Sequence, residues 1–201
     1  TFVIVASDEF SLKNQGMTTA QSIEYISELL KNNEKGIKVC ISIAAAFGCP
    51  FEGEVKPSRV IEIAEKCLDL CPDEISLADT IGVAVPKDIK EKVGPLISLY
   101  PNTPVRLHLH NTRNTAISNA WTAFELGVKR FDASFGGIGG CPFAPNATGN
   151  VAIEDLVYLF ERSGFDTGVD LDASIKVAEW LRTQVKHPLP SALLAAGDFK
   201  V

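Results

Sequence analysis

One pattern recurs along this chain and restricts the sheet it can build: a short β-branched run, a loop carrying polar side chains, then an amphipathic helical stretch. The strand candidates are Phe2–Ala6, Lys38–Ile43, Glu74–Ala78, Val105–Leu109 and Arg130–Ser134. Their starts lie about 25 to 36 residues apart, the length of one βα unit. The helical stretches carry their own punctuation. Thr18 and Gln21 have capping-box spacing ahead of a stripe of Ile23, Ile26, Leu29 and Leu30, and Gly36 lies just past the end. Pro57 and Pro86 suit first-turn positions ahead of stripes at Val60, Ala64, Cys67, Leu68 and at Ile89, Val93, Ile97. Further helices are predicted around Ala116 to Phe124, stopping near Gly127, from about Val151 to Phe160, stopping near Gly164, and over roughly Asp172 to Gln184. The stretch Lys186-His-Pro-Leu-Pro190 then breaks the periodicity, which predicts an irregular tail with His187 on the surface.

Strictly alternating βα units imply a parallel sheet, either open and doubly wound or closed as a (β/α)8 TIM barrel. The placement of polar residues favours the barrel. Ser7 and Asp8, Ser42, Asp79, His108 and His110, and Ser134 with the glycines behind it fall at the C-terminal ends of successive strands, which form one mouth in a barrel. No G-x-G-x-x-G follows the first strand, as a dinucleotide-binding sheet would require. The run Gly136 to Gly140 leads into Cys141-Pro142 and reads as a mobile loop rather than a phosphate cradle. Since a barrel usually takes about 250 residues and five parallel strands do not close one, residues 1–201 are expected to form a single domain that is part of a barrel.

Charge and composition narrow the partners. A net charge of −6 with no run of lysine or arginine argues against nucleic acid. No apolar run approaches the eighteen or so residues that span a bilayer, and the first ten residues lack a signal-peptide layout, so no membrane partner is expected. Five cysteines, an odd number, suit free thiols in a reducing compartment, hence a cytoplasmic expectation. An organellar targeting segment, if there is one, would lie upstream. Cys67 and Cys71 are read as filler at a helix end, not as a ligand pair.

The segment Val105-Arg-Leu-His-Leu-His-Asn111 carries the strongest local signal for chemistry. Strand side chains alternate, so His108 and His110 share a face and can share one divalent cation. Two histidines satisfied by hydrogen bonds at a strand end explain the same spacing equally well.

Several blocks together resemble the hydroxymethylglutaryl-CoA lyase family: Ala6-Ser-Asp-Glu-Phe10 with Asn14, Gly48-Cys-Pro-Phe-Glu-Gly53, Glu74 to Gly82, His108-Leu-His-Asn-Thr112, and Gly136-Gly-Ile-Gly-Gly-Cys-Pro-Phe-Ala144 followed by Thr148-Gly-Asn150 and Glu154-Asp155. The likeness covers nearly the whole chain. It implies a metal-dependent barrel that splits a 3-hydroxy-3-methylglutaryl thioester into acetyl-CoA and acetoacetate with Mg2+ or Mn2+. It implies metal ligands at His108, His110 and Asn150; two imidazoles alone leave Zn2+ open. Cys141 matches the family's loop cysteine, a proton donor to the departing enolate, and Asp79 matches an acid that joins in proton transfer. Glu154 matches an acid near the same site that orders Asn150 or the loop. Ser7, Asn14 and Arg113 stand at the mouth as substrate-binding candidates, and a homodimer acting on a small acyl-CoA is implied.

Each assignment has a plainer counterpart. Asp79-Thr80 can cap a helix, Cys141 can be a buried thiol, and Glu154 can be a first-turn acid. The family's Arg-Asp-Gly-x-Gln block, which ends its first strand and supplies an arginine and a further metal ligand, is not in this sequence, so the resemblance implies that residues 1–201 are the C-terminal portion of the barrel, with roughly three βα units ahead of Thr1 in the parent protein. Asn111 stands where many members have aspartate, and Asn114 and Asn146 where many have glycine. These departures leave open a different acyl-CoA. A related metal-dependent aldolase or condensing synthase, and a non-catalytic homologue, are the competing readings.

Overall fold

In the computed structural model, which describes residues 1–31, 36–140 and 149–199, five strands form one parallel sheet in the order β1-β2-β3-β4-β5. They are β1 (Phe2–Val5), β2 (Cys40–Ala44), β3 (Glu74–Asp79), β4 (Val105–Leu109) and β5 (Arg130–Asp132). Each strand pairs with its sequence neighbour and the order never reverses, so there is no switch point of the kind a doubly wound sheet uses. The sheet is an arc of a (β/α)8 barrel.

Alternation along the strands makes two unlike faces. Ile4, Ile41, Ile43, Ile75, Leu77, Leu107 and Leu109 are at most 1% exposed and pack with helix residues such as Val60, Ile63, Ile89, Val93, Ala116 and Ala120 in one apolar cluster. Burying each large aliphatic side chain contributes roughly 1.5–3 kcal/mol. A one-residue slip would turn this row outward, so the register is firmly set. The other face is polar. Ser42, Ser76, Arg106 and Arg130 lie in one register row, and Ala78, His108 and Asp132 in the row nearer the strand ends. Ser42 therefore sits mid-strand rather than at the mouth where the spacing placed it.

The helices are α1 (Asp8–Gln15), α2 (Thr19–Lys31), α3 (Pro57–Leu68), α4 (Pro86–Leu99), α5 (Ala116–Glu125), α6 (Ile153–Arg162), α7 (Leu171–Gln184) and α8 (Ala192–Ala196). The expected box at the start of α2 is present: the Gln21 side chain accepts from Thr18 N at 2.9 Å and Thr18 Oγ1 accepts from Gln21 N at 3.3 Å. Pro57 and Pro86 open α3 and α4 at positions whose N–H has no intrahelical partner. Cys67 is buried in α3, where burial pushes its thiol up to about 12, and Cys71 is exposed.

Two elements differ from expectation. Helix α1 follows β1 directly, although its apolar pattern is weak and only Phe10 and Ser11 are buried. Gly16, at φ 73°, ends it in the left-handed conformation. The tail read as irregular contains α8, whose first amides, Ala192 N and Leu193 N, donate to the Asp155 carboxylate at 3.0 and 2.8 Å. Ser191 Oγ caps the same turn locally, accepting from Leu194 N at 3.0 Å, but five residues are too few to show a periodicity. His187 is exposed, as expected.

Candidate active site

The end of β4 is stitched to the segment 149–151. Asn111 N donates to Gly149 O and Val151 N to Leu109 O, both at 2.9 Å, and His110 pairs with Asn150 in an isolated antiparallel bridge. The bridge sets the two side chains together at the strand end. His110 is 5% exposed; burial, with His108 beside it, pushes its imidazole down to about 4, so the ring is neutral at ordinary pH. Its Nδ1 has no hydrogen-bond partner among the described residues. The Asn150 amide nitrogen donates to Ile138 O at 2.9 Å, while its Oδ1 is buried and likewise without a partner among the described residues. The His108 and His110 ring centres are 5.3 Å apart.

Two buried polar atoms without a partner among the described residues, beside a second imidazole, are what a bound cation would satisfy, because such atoms otherwise lose about 1–3 kcal/mol each. All three donors are neutral, nitrogen and amide oxygen, which suits a moderately hard divalent ion. Among the described residues no three His, Cys, Asp or Glu side chains form a metal-binding group, so the amide oxygen is needed to complete this set. His108 and Asp132 also border a groove of about 770 Å3 whose remaining walls include Phe124, Phe131, Phe160 and Phe165.

The other candidates are placed as follows. Asp79 ends β3 and is 1% exposed; its two carboxylate oxygens accept from Val83 N at 2.9 Å and Ala84 N at 3.0 Å, folding the β3–α4 loop onto itself. Burial raises its pKa, against the pull of those amides and of Arg113. Arg113 reaches across the same loop and donates to Ile81 O and Gly82 O at 3.0 and 2.9 Å. Glu154, fully buried in the first turn of α6, accepts from Gly136 N at 3.0 and 3.2 Å and so holds the 3-10 turn Phe135–Gly137 that follows β5. Ser7 is buried and its hydroxyl donates to Cys49 Sγ at 2.9 Å. Asn14 is exposed in the last turn of α1. Cys141 and Asn146 lie outside the described residues. His108, His110 and Asn150 are thus the three candidates that the strand end brings together.

A family model described as HMGL-like matches residues 1–181. The chain belongs to the HMGL-like family. Among its relatives, an (R)-citramalyl-CoA lyase of Chloroflexus aurantiacus is 47% identical over 97% of this chain and 62% of its own length. A hydroxymethylglutaryl-CoA lyase of Bacillus subtilis is 35% identical over 92% of the chain and 62% of its own. A solved HMG-CoA lyase from Acinetobacter baumannii, in complex with coenzyme A and 3-methylmalate, superposes with a TM-score of 0.92 at 40% identity, covering 99% of this chain and 66% of that one. The chain spans between 51% and 62% of the length of these and other curated relatives it matches.

Sequence reasoning missed one part of this HMGL-like site. Asp132 lies directly beside His108 in the β4–β5 register, with its Oδ2 3.4 Å from His108 Nδ1. Burial pushes its carboxyl up, but the His108 hydrogen bond and the Arg106 charge outweigh it and bring the pKa below the usual aspartate value. Period-two alternation puts Asp132 on the face of Ser134, and parallel pairing then puts it next to His108; that signal was present in the strand itself. Two of the three asparagine departures also have structural places, the third, Asn146, lying outside the described residues. Asn111 Oδ1 accepts from Ala116 N at 3.1 Å at the start of α5, and Asn114 is left-handed at φ 56°, a conformation glycine adopts without penalty.

Proposed function

We propose that this chain carries the metal-binding half of an acyl-CoA lyase that breaks the C2–C3 bond of a 3-hydroxy-3-methyl acyl-CoA thioester, releasing acetyl-CoA and a keto acid. The observation that carries this reading is the pairing of orphaned His110 Nδ1 and Asn150 Oδ1 beside His108 at the strand end. His108, His110 and Asn150 would hold the ion, Mg2+ or Mn2+, with Zn2+ the competing metal. A divalent cation supplies the Lewis acid that makes the C3 hydroxyl easier to deprotonate.

The chain's own groups supply the rest. As the hydroxyl loses its proton, its electrons form the new carbonyl and the C2–C3 pair passes to acetyl-CoA as the enolate. The C3 hydroxyl proton passes to the Asp79 carboxylate, the acid that the resemblance assigns to proton transfer, and burial, which raises its pKa, favours its holding that proton. Cys141, assigned by motif alone, returns a proton to C2. Glu154 fixes Gly136, and with it the polypeptide leading out of β5.

The relatives point to two substrates that share the acetyl-CoA half and the tertiary hydroxyl but differ by one methylene in the acid arm: citramalyl-CoA, which would give pyruvate, and hydroxymethylglutaryl-CoA, which would give acetoacetate. The 47% relative favours the shorter acid. A homodimer belongs to the same reading by resemblance, and a cytoplasmic location by the odd number of cysteines. The test is kcat/KM of the full-length protein for both thioesters, with Mg2+, Mn2+ or Zn2+ added after chelation. One methylene is worth about 10- to 200-fold in discrimination, so a preference of that size for citramalyl-CoA is expected. Metal binding without cleavage of either thioester would overturn the lyase reading and favour the condensing synthase.

A further inference from the structure

We infer that Asp132 is the positioning residue for His108, fixing which imidazole nitrogen faces the metal site; this rests on the metal reading above. Parallel pairing places Asp132 opposite His108 on neighbouring strands, with both side chains on the polar face. The carboxylate divides its oxygens: Oδ2 lies 3.4 Å from His108 Nδ1, and Oδ1 accepts from an Arg106 guanidinium nitrogen at 3.1 Å. Arg106 is itself anchored. Its other terminal nitrogen meets Glu74 Oε2, and Arg130 holds Glu74 Oε1 at 2.8 Å. Glu74 is 5% exposed, so the chain of contacts starts from a fixed point in β3 and runs through Arg106 to Asp132 and then to His108.

The consequence is chemical as well as mechanical. A carboxylate only accepts, so the proton of a neutral His108 ring sits on Nδ1 and the lone pair on Nε2, across the ring from Asp132. A histidine that ligates through Nε2 needs that assignment, and carboxylates commonly provide it. Among the described residues His110 has no such partner at Nδ1, and its ring is held by burial. The two imidazoles are therefore set by different means.

The competing role for Asp132 is charge balance for Arg106, which would leave the His108 tautomer indifferent. The experiment uses full-length protein labelled with 15N at histidine, metal-free at pH 8, with the His108 signal assigned by His108→Gln. The expected wild-type spectrum shows His108 protonated at Nδ1. In Asp132→Asn the single carbonyl oxygen is claimed by Arg106, the amide nitrogen turns to His108, and the proton moves to Nε2. Mn2+ affinity is expected to fall 10- to 100-fold. Arg106→Met, which frees Asp132 without removing it, should mix the tautomers and lower affinity less. A wild-type His108 protonated at Nε2 overturns the proposal, as does an Asp132→Asn protein that binds Mn2+ within twofold of wild type. If wild type binds no Mn2+, the metal reading fails, and the tautomer still decides whether Asp132 sets His108.

Discussion

His110 and Asn150 face each other across a single antiparallel bridge, and each buries a polar atom, Nδ1 of the ring and Oδ1 of the amide, without a hydrogen-bond partner in the described protein. Two such atoms side by side are a standing loss that a shared cation would recover. Replacing either residue with alanine in the full-length protein should therefore lower Mn2+ affinity by more than the ~10- to 100-fold typical of removing a residue that only supports a ligand. Electron paramagnetic resonance titration of free Mn2+ reads this directly. Affinities unchanged in both variants would remove the pair from the metal site.

Glu154 is fully buried and both its oxygens face Gly136 N. Glu154→Ala would strand that amide and open a cavity, at a cost of about 2–4 kcal/mol. Glu154→Gln keeps an acceptor and should cost about 1 kcal/mol. Urea unfolding of the two variants gives the comparison. Equal stabilities would show that Glu154 does not hold the turn after β5.

The parts of the fold legible in the sequence are those written in short-range pattern. Thr18 and Gln21 announced the start of α2, Pro57 and Pro86 the starts of α3 and α4, and alternation put His108 and His110 on one face. What stayed hidden depends on residues far apart in the chain. Helix α8 is capped by Asp155, 37 and 38 residues before the amides it receives. Asp132 matters only through the register that brings it to His108. Helix α1 was missed for a different reason, because one buried aromatic and one buried serine make too faint a stripe.

Lys92 is 3% exposed in α4, with its amine 3.4 Å from Phe47 O and 5.3 Å from the Phe47 ring centre. Burial lowers its pKa below 10.5 although Asp88 and Asp79 pull the other way. Between that lowered value and 10.5 the unfolded chain binds more protons than the folded one, so stability rises with pH across the window. Lys92→Met should be more stable than wild type at pH 7, by on the order of 1 kcal/mol. Its advantage should shrink as pH climbs toward 10.5. Denaturant midpoints at several pH values measure the gap, and a gap that does not change with pH would show that the amine keeps its ordinary affinity for protons.

Gly149 immediately precedes Asn150 and adopts φ 129°, a region closed to most side chains. A Cβ there would lie 2.1 Å from Gly137 O and 2.9 Å from Gly139 O, both backbone atoms that cannot swing aside. Gly164, at φ 85°, has open space within 4 Å and isolates the backbone penalty from the steric one. Gly164→Ala should cost about 1–2 kcal/mol, the strain of a left-handed residue. Gly149→Ala should cost more than about 3 kcal/mol or shift the segment that carries Asn150. In either event Mn2+ affinity should fall in Gly149→Ala and hold in Gly164→Ala, because Gly149 O also receives the Asn111 amide that ties this segment to the end of β4. Equal losses in the two variants would mean that the close packing of 137, 139 and 149 does not set the position of the Asn150 amide.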